Sequence, residues 1–593
     1  MSLSDARPLD PDVPVIDRRR AETYLRDGLW REERIADLLR AGRLRAPDRC
    51  AVVSGATRLT HGELHTAVTT AGQRLRGLGV RAGDRVVVQL PNRAEFVVLV
   101  LALLDIGAPP VLVLPGFGDY ELGHVVRAAR PVALAVSTGG RSAGPLESAR
   151  RLWKEHGFLR QVLALGEAGG GGAAAGDAGA GDAAAAEGAS AGESVAGGTS
   201  AGDGVDLAAL CDPCSSWDGP VESATAPATP APGSALFDAA VFLLSGGTTG
   251  PPKVIPRGNA GYAYMIRTAC GIAEVSADSV YLAVMPAAHG FILNCPGVLG
   301  TLAQGGTVVL GDATDPRQAL ALIERERVTH CALVPTVAMQ WLAAAAETDA
   351  DLGSLRVLQT GGARPAPELA SQVGPVLGAT LQQCYGMSEG LLCYTGLDDP
   401  ESVIVQTQGR PASPGDEVLI VDEHGRPVPD GTPGELLTRG PYTVAGYYRD
   451  PDATAKAFTP DGFYRTGDLA TRTPGGDLVV NGRVRDIINR GGEKIPAEDL
   501  ELLVARHPAV RSSAAVGAPH RLYGEIVCLY VVPEPGQEPS LLELRRFLRG
   551  LGLAAWKLPE LMEVVAELPT TAIGKIDKKA LRADIARRAA AEA

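Results

Sequence analysis

Short apolar runs alternate along the chain with longer stretches of helical pattern. RVVVQL (85–90) reads as a buried strand, AEFVVLVLALLDIG (94–107) as a helix apolar on every face, and PPVLVL (109–114) as the next buried strand. The rhythm resumes with AAVFLL (239–244), GTVVLG (306–311), HCALVP (330–335) and LRVLQT (355–360), separated by helical segments such as PTVAMQWLAAAAE (335–347). Strands that are apolar throughout and joined by helices predict an α/β fold, with parallel sheets covered on both faces. In such sheets ligands gather beyond the carboxyl ends of the strands, where SGGTTG (245–250) follows AAVFLL. From about residue 415 the pattern changes to strands and turns, EVLIVDEHGRPVPDGTPGELLTRG (417–440), which predicts a β-rich subdomain of hairpins. After NGRVRD (481–486) come helix AEDLELLVARH, strands SSAAVGA and EIVCLYVVP, and helix SLLELRRFLRG. The expectation is a large N-terminal domain, residues 1–484, and a small α+β C-terminal domain, residues 485–593.

One segment breaks the pattern. Residues 168–234 begin as an almost unbroken mixture of Gly, Ala, Ser, Asp and Glu, with little to bury, and read as a disordered surface insertion. The most apolar run, FVVLVLALLDIGAPPVLVLPG (96–116), is interrupted by Asp105 and a proline pair. It falls short of the roughly 20 apolar residues that a membrane-spanning helix needs. A length of 593 residues suggests about three to five packing units. The 56 Lys and Arg against 69 Asp and Glu give a net charge of −13, which argues against a general nucleic-acid or anionic-membrane binder. Partners are expected among small molecules and other proteins. Nine cysteines, an odd number, with no apolar leader in MSLSDARPLDPDVPVIDRRR, suit reduced thiols in a cytoplasmic protein. Cys211 and Cys214 have metal-ligand spacing, but neither a second pair nor a His cluster accompanies them, so they are not read as a zinc site.

The loop SGGTTGPPKVIPR (245–257) has the composition of a phosphate cradle. Backbone N–H groups and the hydroxyls of Ser245, Thr248 and Thr249 can converge on phosphate oxygens, and Lys253 adds charge. It is not a P-loop of the NTPase kind, because Pro252 precedes the lysine and Val254 follows it where Gly and Ser or Thr are required. Four further motifs follow in order: QQCYGMSEG (382–390), YRTGDL (464–469), NGRVRDIINRGGEKIPAEDLE (481–501) and PTTAIGKIDKKAL (569–581). Together the five resemble the core motifs of the adenylate-forming superfamily, and the resemblance covers nearly the whole chain outside the insertion. SGGTTGPPKVIPR, HGFILNCPGVLG (289–300) and LQQCYGMSEGLLCYTGLDDPE (381–401) further resemble the stand-alone aryl acid AMP ligases of siderophore and related peptide assembly.

The resemblance implies an enzyme that makes an acyl adenylate from an acid and ATP and then passes the acyl group to a thiol. Such chemistry needs screening of the triphosphate, in-line attack of the carboxylate on the α-phosphorus, and stabilisation of the transferring charge. It assigns Ser245, Gly246, Gly247, Thr248, Thr249, Gly250 and Lys253 to the β- and γ-phosphates. Thr360, Gly361, Gly362, Ala363 and Tyr385 would line the adenine, together with Gly386, Met387 and Ser388 of the YGMSE motif. Glu389 would hold Mg²⁺, Asp468 would accept the ribose hydroxyls, and Arg483 would contact ribose or phosphate. Lys575 matches the lysine that bridges carboxylate and α-phosphate, whereas Lys578 and Lys579 read as solvated. Arg485 falls at the hinge about which the family rotates its C-terminal domain, and Lys494 at a basic residue used after that rotation.

For the acid, the resemblance places His289 near the carboxylate, with Gly290, Phe291, Cys295, Cys384, Ser388, Leu392 and Cys393 around the ring. Dihydroxybenzoate ligases carry Asn in place of Gly290 and Ser in place of Cys295. Losing both removes polar groups that read ring hydroxyls, and the glycine opens volume. The expectation therefore moves from 2,3-dihydroxybenzoate to salicylate, to a substituted 2-hydroxybenzoate type such as 3-hydroxyanthranilate, or to a bicyclic heteroaryl acid. Asn259 stands where these ligases usually carry a His. The acceptor is expected to be the phosphopantetheine thiol of a separate aryl carrier protein, since the chain ends in ALRADIARRAAAEA soon after Lys575. An aryl-CoA ligase is the alternative. A catalytically silent adenylate-binding protein is disfavoured by the presence together of Lys253, Glu389, Asp468 and Lys575.

Overall fold

The computed structural model describes residues 3, 7–139, 144–166, 204–222, 234–245, 252–311, 315–490, 493–520, 523–551, 553, 555–571 and 574–592. Two large sheets carry the N-terminal part. One has seven strands in the order Val205–Asp206, Gln161–Leu165, Ala133–Ser137, Val86–Gln89, Pro110–Leu112, Ala239–Leu244 and Val254–Gly258. All its neighbours run parallel except the final hairpin. The other has nine strands, in the order Arg410–Pro411, Gly390–Tyr394, Thr380–Met387, Val357–Gly361, His330–Leu333, Val280–Ala283, Thr307–Leu310, Cys50–Ser54 and Thr57–Thr60. Its six central strands are parallel and its edges antiparallel.

The helix Ala94–Ile106 is buried on nearly all sides because it lies between the sheets, packing against Val86–Gln89 of one and Cys50–Ser54 of the other. A helix covered all round has no face to leave polar, which explains its unbroken apolar sequence. It stops at Gly107, whose φ of 75° is the left-handed conformation that closes a helix.

A four-stranded antiparallel sheet follows, Glu417–Val421, Gly434–Arg439, Tyr464–Arg472 and Leu478–Arg483. The turn Val484–Asp486 leads from it into a five-stranded sheet built from Ile487–Arg490, Glu493–Pro496, Val510–His520, Gly524–Pro533 and Leu561–Val564. Helices Ala497–Val504 and Leu541–Gly550 bury Leu500, Val504, Leu544 and Leu548 in that sheet's own core.

The low-complexity segment needs a correction. Residues 204–222 belong to the fold: Val205–Asp206 adds a parallel strand beside Gln161–Leu165, and Leu207–Cys211 forms a short helix. Leu207, Leu210 and Cys211, at helical spacing, are buried, and the Arg74 guanidinium donates to the carbonyls of Ala209 (2.5 Å) and Asp212 (2.8 Å). Three apolar side chains on one helical face are enough to anchor a piece of otherwise core-poor sequence. Residues 167–203 and 223–233 lie outside the described residues.

Candidate active site

The glycine and threonine run joins the strands Ala239–Leu244 and Val254–Gly258 at the edge of the seven-stranded sheet. Two hydrogen bonds close its base: Ser245 N–H donates to the Lys253 carbonyl (3.0 Å), and Lys253 N–H donates to Ser245 Oγ (2.9 Å). Ser245 is thereby held as an acceptor for the chain's own amide, leaving its O–H as the donor for a ligand. Gly246, Gly247, Thr248, Thr249 and Gly250 lie outside the described residues. The Lys253 ammonium rests 4.5 Å from the centroid of the Tyr447 ring. The Tyr447 hydroxyl donates to Glu389 Oε1 (2.9 Å) and lies 3.4 Å from that of Tyr464. Glu389, a buried carboxylate, is thus linked through one aromatic ring to the lysine at the base of the loop. A hard oxygen donor there suits Mg²⁺, which takes one or two carboxylates and completes its shell with phosphate oxygens and water. Among the described residues no three His, Cys, Asp or Glu side chains gather into a metal cage.

Across the site, the strand Val357–Gly361 ends in Gly362 (φ 82°) and Ala363, both exposed. Thr360 is buried just before them. Tyr385, half-buried, donates its phenol hydrogen to Asp468 Oδ2 (2.5 Å), and Arg483 Nε lies 2.5 Å from Asp468 Oδ1. The pairing follows from register, because Asp468 and Arg483 are direct partners on adjacent strands. A carboxylate has about four acceptor sites, so these two contacts do not exhaust it.

Lys575 reaches this cluster from the C-terminal part of the chain. Thr571 forms its turn: the Thr571 N–H donates to the Lys575 carbonyl (2.7 Å), and Lys575 N–H donates to Thr571 Oγ1 (3.2 Å). The lysine then runs past Gly362, where a Cβ would stand 3.1 Å from Lys575 Cε. Burial, reinforced by Arg483 and opposed by Asp468, pushes the Lys575 amine down to about 8. Burial and the nearby Lys575 charge push His289 down to about 4. The His289 ring is neutral at neutral pH, and its Nδ1 accepts the Phe291 N–H (3.3 Å) at the start of the helix Gly290–Asn294. That bond puts the imidazole proton on Nε2, where it can be donated. Lys494 belongs to the strand Glu493–Pro496, opposite Asn489, and Arg485 to the turn Val484–Asp486.

Most of the residues expected around the acid gather on one face of the nine-stranded sheet. Gly361 lets the Phe291 ring approach, since a Cβ there would stand 3.0 Å from Phe291 Cζ and 2.8 Å from the Cys384 carbonyl. Cys295 Sγ contacts the Gly290 carbonyl at 3.6 Å, and Gly290 itself abuts Leu243. Leu392 folds over Gly386, where a Cβ would meet Leu392 Cδ2 at 2.6 Å. Met387 packs on the core beside them, and the Ser388 carbonyl accepts from Arg257. Cys393, expected in the ring wall, is not there. Register pairs Cys384 with Tyr394 and Gly386 with Leu392 on one face, and Tyr385 with Cys393 on the other. Cys393 instead packs with Leu391, Ile420 and Leu436 beneath the four-stranded sheet, because successive strand residues point to opposite faces.

Arg257 was not legible as a site residue. It is buried, donates to the Ser388 carbonyl and to Met265 Sδ (3.3 Å), and lies 5.1 Å from the Tyr262 ring centroid. Its only signal is a charged residue inside the buried strand Val254–Gly258. Tyr447, which bridges Lys253 and Glu389, carried no signal. Asn259 has a structural role: it accepts from Ile35 N–H (3.2 Å) and donates to the carbonyls of Ala235 (3.1 Å) and Asp238 (3.2 Å).

Two α/β sheets, a hairpin subdomain carrying the Asp468–Arg483 pair and a C-terminal lysine that reaches it define an adenylate-forming enzyme. The chain belongs to the AMP-binding enzyme family: residues 40–448 match that family, and residues 499–575 match the AMP-binding enzyme C-terminal domain. It is 44% identical over 568 residues to the 2-hydroxy-7-methoxy-5-methyl-1-naphthoate–CoA ligase of Streptomyces carzinostaticus, covering 96% of each chain. It is also 44% identical over 568 residues to a salicylyl-CoA synthase / salicylate adenylyltransferase of a Streptomyces species, again covering 96% of each. The apo structure of MbtA from Mycobacterium smegmatis superposes with a TM-score of 0.67 at 40% identity, covering 96% of this chain and 98% of that one. No helix among the described residues is long and apolar enough to cross a membrane.

Proposed function

We propose that the protein activates an aryl carboxylic acid of the 2-hydroxybenzoate kind with ATP and transfers the aroyl group from the adenylate to a thiol, forming a thioester and releasing AMP. The observation that carries this reading is the convergence of His289 and the Asp468–Arg483 pair on Lys575, which runs past Gly362. The lysine charge lies between the nucleotide side and the acid side, and His289 offers an Nε2 proton beside it. In the first step an acid oxygen attacks the α-phosphorus, the bond to the bridging oxygen breaks, and pyrophosphate leaves. Lys575 stabilises charge on the carboxylate and α-phosphate, His289 orients the carboxylate, and Lys253 with the loop from Ser245 screens the departing phosphates. Asp468 holds the ribose, with Tyr385 and Arg483 fixing its orientation, and Thr360, Gly361, Gly362 and Ala363 border the adenine. Glu389 would hold Mg²⁺, which when bound neutralises phosphate charge.

The relatives support an aryl acid with an ortho hydroxyl, salicylate and a 2-hydroxynaphthoate being the acids in their names. The acceptor is a carrier-protein phosphopantetheine or coenzyme A. For thiol transfer, the C-terminal domain beginning at Arg485 rotates, withdraws Lys575 and brings Lys494 toward the site.

Acid-dependent ATP–pyrophosphate exchange over a panel of aryl acids tests the reading. Exchange with salicylate or a substituted 2-hydroxybenzoate, reduced about 10²- to 10³-fold in Lys575→Ala, is expected. Near-normal exchange in that variant, or exchange with no aryl acid, refutes it.

A further inference from the structure

Arg257 is a buried cation that the activity above does not use. It belongs to the strand Val254–Gly258, which follows the phosphate loop, and is 2% exposed. Its guanidinium donates to the Ser388 carbonyl and to Met265 Sδ (3.3 Å), and rests 5.1 Å from the centroid of the Tyr262 ring. Glu389 lies within its electrostatic reach, but among the described residues no carboxylate stands at ion-pair distance from it. A buried cation without an anion beside it is costly, and replacing such a group by an apolar one of similar volume is often neutral or stabilising. Stability alone therefore does not explain the arginine, whereas the residue to which it donates belongs to the site.

Ser388 and Glu389 form the two-residue turn between the strands Thr380–Met387 and Gly390–Tyr394, with Met387 paired to Gly390. Two-residue hairpin loops favour turns with a residue at positive φ, whose twist matches that of the strands. Neither Ser388 nor Glu389 has a positive φ, so the turn lacks the conformation that would suit it unaided. Support comes from outside the hairpin: the Ser388 carbonyl accepts from Arg257, and the Glu389 carbonyl accepts from the Val444 N–H (2.8 Å). The peptide group on each side of Glu389 is thereby held, and with it the direction in which the carboxylate leaves the backbone. We infer that Arg257 is a positioning residue for adenylation, which through the Ser388 carbonyl fixes the Ser388–Glu389 turn so that the Glu389 carboxylate faces the metal accompanying ATP. The inference rests on the adenylation reading and deepens it.

Arg257→Met and Arg257→Lys in the full chain test it, the first removing charge and donor together and the second keeping both in a smaller head. Calorimetric binding of α,β-methylene-ATP with and without Mg²⁺ is measured beside acid-dependent pyrophosphate exchange and the melting temperature. Arg257→Met is expected to bind the analogue within about threefold of wild type without Mg²⁺ and about tenfold more weakly with it, a difference of about 1.4 kcal/mol. Its kcat for exchange should fall by about 10- to 10²-fold with KM for the acid within about threefold, and Arg257→Lys should recover at least about threefold of both losses. Both variants should melt within about 5 °C of wild type. Equal weakening with and without Mg²⁺, no weakening, losses that lysine does not lessen, or a larger drop in melting temperature overturns the inference, because the guanidinium then serves the fold alone. Wild-type binding that is indifferent to Mg²⁺ overturns it as well. The calorimetry needs no acid, so a wild type inactive toward every aryl acid sinks the aryl reading while the binding data still decide the role of Arg257.

Discussion

Lys575 and Gly362 depend on each other at a distance of a few ångströms. A Cβ at residue 362 would have to occupy a backbone of φ 82° and stand 3.1 Å from Lys575 Cε. Gly362→Ala is therefore expected to strain the turn by about 1–3 kcal/mol. By displacing the lysine it should also slow acid-dependent pyrophosphate exchange by up to about 10²-fold, with the melting temperature as the parallel readout. The lysine also sets a pH dependence. With its amine at about 8, the charge that the transferring group requires is present below that pH and lost above it. The kcat/KM for adenylation should fall along a one-proton limb centred near pH 8, and Asp468→Asn should move the limb to lower pH by removing the carboxylate that favours the charged form. For stability the sign is opposite. The folded amine lies below its ordinary value, so burying the charge costs stability fully below pH 8 and the cost is relieved as pH rises above it. His289, pushed down to about 4, stays neutral through this range and contributes no limb near neutrality.

At the scale of elements, strand pleating decides which side chains share the face of Gly361 and Cys384, where the acid is proposed to bind. The strand Gly390–Tyr394 has apolar or thiol side chains at Leu391, Leu392 and Cys393, and nothing in that run marks which face is which. The antiparallel register with Thr380–Met387 assigns Leu392 to the face of Cys384 and Gly386, and Cys393 to the packing beneath the four-stranded sheet. Leu392→Ala should accordingly alter the ranking of aryl acids in pyrophosphate release. Cys393→Ala should leave the ranking unchanged and lower the melting temperature, with a loss of about 1 kcal/mol for a small cavity. The order of strands and helices was legible because apolar runs and helical spacing are local properties. The short helix Leu207–Cys211 was overlooked because its three anchoring side chains are submerged in a composition that otherwise buries nothing.

At the scale of the molecule, the turn Val484–Asp486 carries the chain from the four-stranded sheet to the five-stranded one. Asp486 pairs with Arg582 (2.8 Å) and Glu501 with Lys578 (2.8 Å), tying the C-terminal helix to the start of that region. If Arg485 is the hinge, fixing its φ with proline should hold the chain in the arrangement where Lys575 lies at Gly362. Arg485→Pro is expected to retain pyrophosphate exchange within about threefold and to lose thioester formation by at least about tenfold, a split measured by running the two half-reactions separately. Lys578, read from sequence as solvated, is half of the Glu501 ion pair, because charge alone does not say what a helix packs against. The sequence by itself determined the alternation that makes parallel sheets, the change to hairpins, the loop that Ser245 and Lys253 close, and the family motifs, since these depend on residue type and spacing along the chain. Only the tertiary structure decided that Arg257 is buried against Ser388, that Tyr447 joins Lys253 to Glu389, and that Cys393 packs beneath the four-stranded sheet on the face opposite Leu392. Those outcomes follow from strand register and from surfaces brought together across hundreds of residues, which no local pattern encodes.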